Sequence, residues 1–99
     1  MDEKLYRQSR LCRTLGNPVA YAILAGLAEK RQMTPTEIAR AVNRSVARVS
    51  NLLAALRLAD VVRYEAAGGH TKYRLKHLSE TRRLLRALAD FVEAVGPPR

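Results

Sequence analysis

The sequence predicts one small α+β domain, mainly helical, and three observations carry that reading. Thr34 to Ala59, TPTEIARAVNRSVARVSNLLAALRLA, reads as a short helix, a tight turn and a longer helix. Two strand-like runs follow at once, Val61-Val62-Arg63-Tyr64-Glu65 and Thr71-Lys72-Tyr73-Arg74-Leu75, around the Gly-rich tip Ala66-Ala67-Gly68-Gly69-His70. Cations gather over both: from Arg40 to Lys76 eight basic residues face two acids, Asp60 and Glu65. A helical pair that runs straight into a basic ribbon has the layout of a winged helix-turn-helix. The 99 residues are too few for two independent cores, so 1–99 is read as a single domain. Within it the helix-turn-helix is expected at about 34–59, the wing at about 61–75 and a terminal helix at about 79–95.

Met1 to Lys4 are expected to fray. From Leu5 to about Leu15 a helix is expected, with Leu5, Ser9 or Leu11, Cys12 and Leu15 toward one side and Arg7, Arg10 and Arg13 on another. The arginine row reads as a solvated face, with phosphate contact as the sharper alternative. Cys12 reads as a small buried hydrophobe, and a redox role is the less favoured reading. Gly16-Asn17-Pro18 punctuates the chain, with Pro18 suited to a helix's first turn. Val19 to about Lys30, with Ile23, Leu24 and Leu27, is the natural core helix, and Tyr21 is expected to keep its hydroxyl near the surface.

Thr34-Pro35-Thr36-Glu37 opens the next helix as a capping box with proline at the first position. Ile38, Ala41 and Val42 are spaced to share its inner face. Ser45 is the expected cap of the following helix, whose inward stripe is Val49, Leu52, Leu53 and Leu56. Its other side carries Ala47, Arg48, Ser50, Asn51 and Ala54, all small or polar, a face suited to a DNA major groove. Ser79 is the expected cap of the last helix, with Glu80 near its positive end and Gly96-Pro97-Pro98 as its stop. Leu84, Leu85, Leu88, Phe91, Val92 and Val95 give that helix a broad apolar face that needs a partner surface.

Eighteen Lys and Arg against nine acids give a net charge of +9, which favours a polyanionic partner. No apolar run is long enough to span a membrane, and the start of the chain lacks the apolar core of a signal peptide. With a single cysteine, a reducing cytoplasm is the expected setting. A nucleophile–base set, a phosphate-binding glycine loop and clustered carboxylates are all missing, so the sequence does not read as an enzyme.

The segment Thr14 to Leu24, TLGNPVAYAIL, resembles the opening of the ArsR/SmtB-like winged-helix transcriptional regulators, and Val49 to Val62, VSNLLAALRLADVV, resembles their recognition-helix signature. Arg63 to Leu75 is similar to the wing that follows, so the resemblance spans about Leu5 to Val95. It implies a cytoplasmic homodimer that represses transcription from double-stranded DNA. It places base or phosphate contacts on Ser45, Ala47, Arg48, Ser50 and Asn51, and wing contacts on Arg63 and the tip residues His70, Thr71 and Lys72. Arg44 and Arg57, from the basic excess, complete the expected DNA-facing set. The expected dimer interface takes Leu5 and Cys12 from the first helix and Leu84, Leu88, Phe91 and Val92 from the last.

The chain departs from the family pattern in three ways. Val19-Ala20 replaces the arginine expected after the proline segment. Asp60 stands where a glycine usually follows the recognition helix, at a left-handed position that glycine takes more easily. The helix before the recognition helix has no cysteine pair, and Cys12, His70 and His77 are too few and too scattered for a closed zinc site. Neither a metal ion nor a cofactor is expected. A winged-helix module that docks protein or RNA is the alternative function.

Overall fold

Caps and breakers set the element boundaries. The computed structural model describes residues 2–98. Its elements run α1 (Glu3–Leu15), α2 (Pro18–Lys30), α3 (Pro35–Val42), α4 (Val46–Leu58), β1 (Val62–Ala67), β2 (His70–Leu75) and α5 (Leu78–Val95).

Pro18 takes the first position of α2, and the Asn17 side-chain oxygen accepts from the amides of Val19 at 2.9 Å and Ala20 at 3.1 Å. At α3 the Thr34 hydroxyl accepts from the Glu37 amide (3.2 Å) while the Glu37 carboxylate accepts from the Thr34 amide (2.8 Å). Two free N–H groups are satisfied reciprocally, which is the expected capping box. Those bonds, the Thr34 amide first, hold the Glu37 carboxyl below its ordinary pKa. Asn43 then turns the chain in a left-handed conformation (φ 54°), and the Ser45 hydroxyl caps α4 by accepting from Arg48 N at 3.1 Å.

The core lies between α2, α3, α4 and the root of the ribbon. Ile23, Leu24 and Leu27 of α2 meet Ile38 of α3, Val49, Leu53 and Leu56 of α4, and Val62 of β1, all essentially inaccessible to water. Leu52 is half-buried beside them, so the predicted inward stripe of α4 holds.

β1 and β2 pair antiparallel from Val62 opposite Leu75 to Ala67 opposite His70. The turn is Gly68-Gly69 alone, both at positive φ (57° and 82°), as a two-residue hairpin of this twist requires. The predicted five-residue tip is therefore shorter, because Ala66 and His70 remain in the ladder. One face of the ribbon carries Val62 opposite Leu75 and Tyr64 opposite Tyr73, whose rings lie 5.5 Å apart; the other carries Arg63 opposite Arg74 and Glu65 opposite Lys72. Met33 adds a bridge on the free edge of β2: its amide donates to Tyr73 O at 3.1 Å and its carbonyl accepts from Tyr73 N at 2.8 Å. The wing is thereby tied to the α2–α3 connection.

Three sequence expectations are corrected. On α3 the inner face is Ile38, Ala39 and Val42, with Ala41 exposed, because α2 and α4 approach it from the Ala39 side. α5 begins at Leu78 with His77 as its cap residue and no side-chain cap bond, so Ser79 lies inside the first turn. Cys12 is exposed, and so are Leu5, Tyr6 and Leu11. Only Leu15 of α1 is buried; the earlier turns stay exposed, with Leu11 in an open groove beside Thr81 and Leu84 of α5.

Candidate nucleic-acid interface

α4 is positioned by its inner face. With Val49, Leu53 and Leu56 locked in the core, the helical period turns Ala47, Arg48, Ser50, Asn51 and Ala54 outward, and all five are exposed. Small residues at 47, 50 and 54 let the backbone approach a partner closely. Arg48 and Asn51 carry the fork and the carboxamide that can each make a bidentate contact with a base edge. Ser45 stands at the head of the same helix, its oxygen used by the cap and its hydroxyl hydrogen left to donate outward.

The other predicted contact residues divide into two groups. Arg44 is held at the turn, its guanidinium donating to Asn43 O at 2.9 Å. Arg57 is exposed, and its guanidinium lies over the Tyr64 ring at 4.8 Å, tying the helix to the wing. Arg63 shares the Glu65 carboxylate (3.1 Å) with Arg74, so the ribbon's root is partly neutralised. His70 and Thr71 are exposed at the tip and Lys72 is half-buried just behind it. The structure thus brings Ser45, Ala47, Arg48, Ser50 and Asn51 together on one helix and His70, Thr71 and Lys72 on one tip. Among the described residues, Arg40, Arg44, Arg48, Arg57 and Lys72 have no carboxylate within 4.0 Å.

Asp60 ends α4 in a left-handed conformation (φ 65°) where the family pattern has glycine. Its carboxylate accepts from Lys76 Nζ at 2.5 Å and lies 3.8 Å from His77 Nε2. The Lys76 hydrogen bond, with the positive charge of Lys76 behind it, holds the Asp60 carboxyl below its ordinary pKa. The pair joins the end of α4 to the end of the wing across sixteen positions, and no short-range sequence signal announces it. Arg82 was also missed: its guanidinium donates through Nε (3.1 Å) and Nη2 (2.6 Å) to Ala28 O, closing the C-terminal end of α2 and seating α5.

Beyond that anchor α5 is bare. Thr81 is its one buried residue, while Phe91, Val92 and Val95 are 66–69% exposed and Leu84 and Leu88 more than a third. Leu11 of α1 lines a groove with Leu84, and Leu5 and Tyr6 are exposed on the same helix, so the open sides of α1 and α5 are apolar where that of α4 is polar. Among the described residues, no group of three or more His, Cys, Asp or Glu is placed to hold a metal ion, and no helix is long and apolar enough to cross a membrane.

Five helices, the middle pair a helix-turn-helix, with a two-stranded antiparallel ribbon between the fourth and the fifth, define a winged helix-turn-helix domain. The helix-turn-helix domain family matches residues 15–65, and the chain belongs to that family. Its architecture is that of the ArsR-like winged helices the sequence resembles. NolR from Sinorhizobium fredii superposes with a TM-score of 0.80 at 21% identity, over 90% of this chain and 87% of that one. The homodimeric winged helix-turn-helix DNA-binding domain Mb0332 from Mycobacterium bovis, a possible ArsR-family transcriptional regulator, is 26% identical with a TM-score of 0.76, over 91% and 87%. The transcriptional repressor BigR from Xylella fastidiosa is 21% identical with a TM-score of 0.79, over 90% and 89%. No curated protein matches the chain.

Proposed function

We propose that the protein is a sequence-specific, double-stranded-DNA-binding transcriptional regulator of the cytoplasm that acts as a homodimeric repressor. One observation carries the reading: α4 spends its apolar residues on the core and leaves Arg48 and Asn51 on an exposed face otherwise built of small side chains. A groove-reading helix needs that combination of a narrow profile and hydrogen-bonding forks. The wing tip, with Lys72 behind it, supplies phosphate or minor-groove contact beside the helix. The apolar faces of α1 and α5 supply the pairing surface, Leu5, Cys12, Leu84, Leu88, Phe91 and Val92 among them. Pairing presents two copies of α4 to half-sites about one helical turn apart, roughly 34 Å. The homodimeric state named for Mb0332 agrees with this arrangement, and the repressor named BigR agrees with the sign.

The test is a fluorescence-anisotropy titration against random duplex DNA and against the chain's own upstream region, over a salt series. The expected result is tighter binding to the upstream region, with log affinity falling by about 0.9 per phosphate neutralised for each log unit of salt. An Arg48→Ala/Asn51→Ala variant is expected to keep a salt-sensitive residue of affinity and lose the preference. Absence of binding to either duplex at low salt overturns the reading.

Leu58 favours a second reading. It is 87% exposed at the far end of α4, an apolar side chain where a DNA reader has no use for one. A protein-docking module accounts for it, and binding of such a partner is expected to be nearly insensitive to salt.

A further inference from the structure

The positive charge does not stop at the wing tip. Along the ribbon's outer face Lys72 is followed by Arg74, with Arg63 in register beside it, and Lys76 comes next at the root. There a groove of about 350 Å³ opens, lined by Arg31, Arg63, Arg74 and Lys76 around Gln32, Leu75 and Leu78. Leu78 is shared with a second groove of about 320 Å³ on the first turns of α5, lined by Ser79, Arg82, Arg83 and Arg86. Among the described residues, no acid lines either groove. Seven cations line the two, and three acids reach them from outside: Glu65 on Arg63 and Arg74, Asp60 on Lys76 and Glu80 on Arg83. None of these cations lies on the recognition helix.

We infer that this track is a second nucleic-acid surface, which holds the backbone of duplex DNA flanking the half-site after it passes the wing tip. The inference rests on the DNA-binding reading and deepens it. The chemistry selects the partner. Protein interfaces are anchored by exposed aromatic and aliphatic side chains, whereas the two leucines here are buried or half-buried and the open groups are guanidinium and ammonium. Those groups, in series and without apolar anchors, are the means by which proteins hold phosphates. The length fits as well. Lys72 to Lys76 spans roughly 13 Å of strand, and Ser79 to Arg86 roughly 10 Å of helix. Together they follow several successive phosphates of a duplex bent toward the body, and the added contacts offset the cost of the bend.

The probe is a duplex that the protein enriches from a randomised pool, trimmed to its enriched core of about 20 base pairs, two half-sites a turn apart, and compared with the same core carrying random-sequence flanks. The wild-type chain is expected to bind the flanked duplex more tightly than the core. Its salt dependence is expected to steepen by about 0.9 per added phosphate contact, so three arginines account for about 2.7 per protomer. An Arg31→Gly/Arg83→Ser/Arg86→Ser variant is expected to lose that gain and keep the affinity for the core. Glycine accepts the positive φ of residue 31 (72°), and Arg82, which seats α5, is left in place. The matching Arg→Lys variant, folded and still charged, is expected to retain the gain. A bound core that gains nothing from flanks, or a triple variant that keeps the whole gain, overturns this inference alone. A core that does not bind overturns the DNA-binding reading with it.

Discussion

α4 and α5 are both amphipathic helices with an open side, and they differ in what the open side is made of. α4, thirteen residues long, buries Val49, Leu53 and Leu56 and exposes Arg48, Ser50 and Asn51. α5, eighteen residues long, buries only Thr81 and exposes Leu88, Phe91, Val92 and Val95. A polar face is content in water, so α4 can meet its partner and leave it. An apolar face is not, and α5 requires a cover that stays. On the proposed reading the two faces serve two kinds of association, one reversible and one lasting, on helices separated by the wing.

Each side of that contrast can be broken. The largest effect is expected for Arg48→Ala/Asn51→Ala, which on the proposed reading removes two bidentate base contacts of about 1–3 kcal/mol each. Binding to the preferred duplex should fall by that sum while the melting temperature stays put. Next is Leu53→Ala, on the inner side of the same helix: it empties a fully buried site and should cost about 2–5 kcal/mol in denaturant titration. Phe91→Glu attacks the other helix. Placing a charge on the pairing face should weaken self-association by about a hundredfold, or about 2.7 kcal/mol, seen by sedimentation, with the helical content of the chain retained. An unchanged association state would show that α5 is covered by something other than a second copy.

Smaller effects sharpen the picture at the joints. Gly68→Ala should destabilise by about 1 kcal/mol through its positive φ alone, because the space around it is open. Asp60→Asn should act least. The folded Asp60 carboxyl lies below its ordinary pKa, so its contribution is present above about pH 4 and lost as the pH falls through the lowered value. Thermal melts at neutral pH and near pH 3 should therefore differ by slightly less for the Asn variant than for the wild type.

Much of the fold was legible because its signals are local. The Thr34-Pro35-Thr36-Glu37 box, the Ser45 cap, the Gly68-Gly69 turn and the period of α4 each act within a few residues, and each is where the sequence puts it. The misreadings came from contacts that distance along the chain hides. Cys12 has hydrophobic spacing, yet it is exposed, because the packing of one helix on another is not written in its period. Ser79 has the chemistry of a cap, yet the chain leaving β2 reaches helical geometry two residues earlier than that cap implies, at Leu78. Arg57 is expected to face DNA from charge and Arg63 from the resemblance, and neither signal announces the Tyr64 ring beneath Arg57 or the Glu65 carboxylate beside Arg63. The Met33 bridge and the Asp60–Lys76 pair have no sequence signature at all, since each joins segments far apart in the chain that meet only after the helices pack.

The bare end of α5 also makes the number of chains a quantity that matters. Where a second copy is its cover, pairing obeys mass action. Well below the dissociation constant the paired population follows the square of the total, so halving the supply removes about three quarters of the pairs. Promoter occupancy then responds to dosage more steeply than in proportion, and the chain can report its own abundance without a small molecule to instruct it.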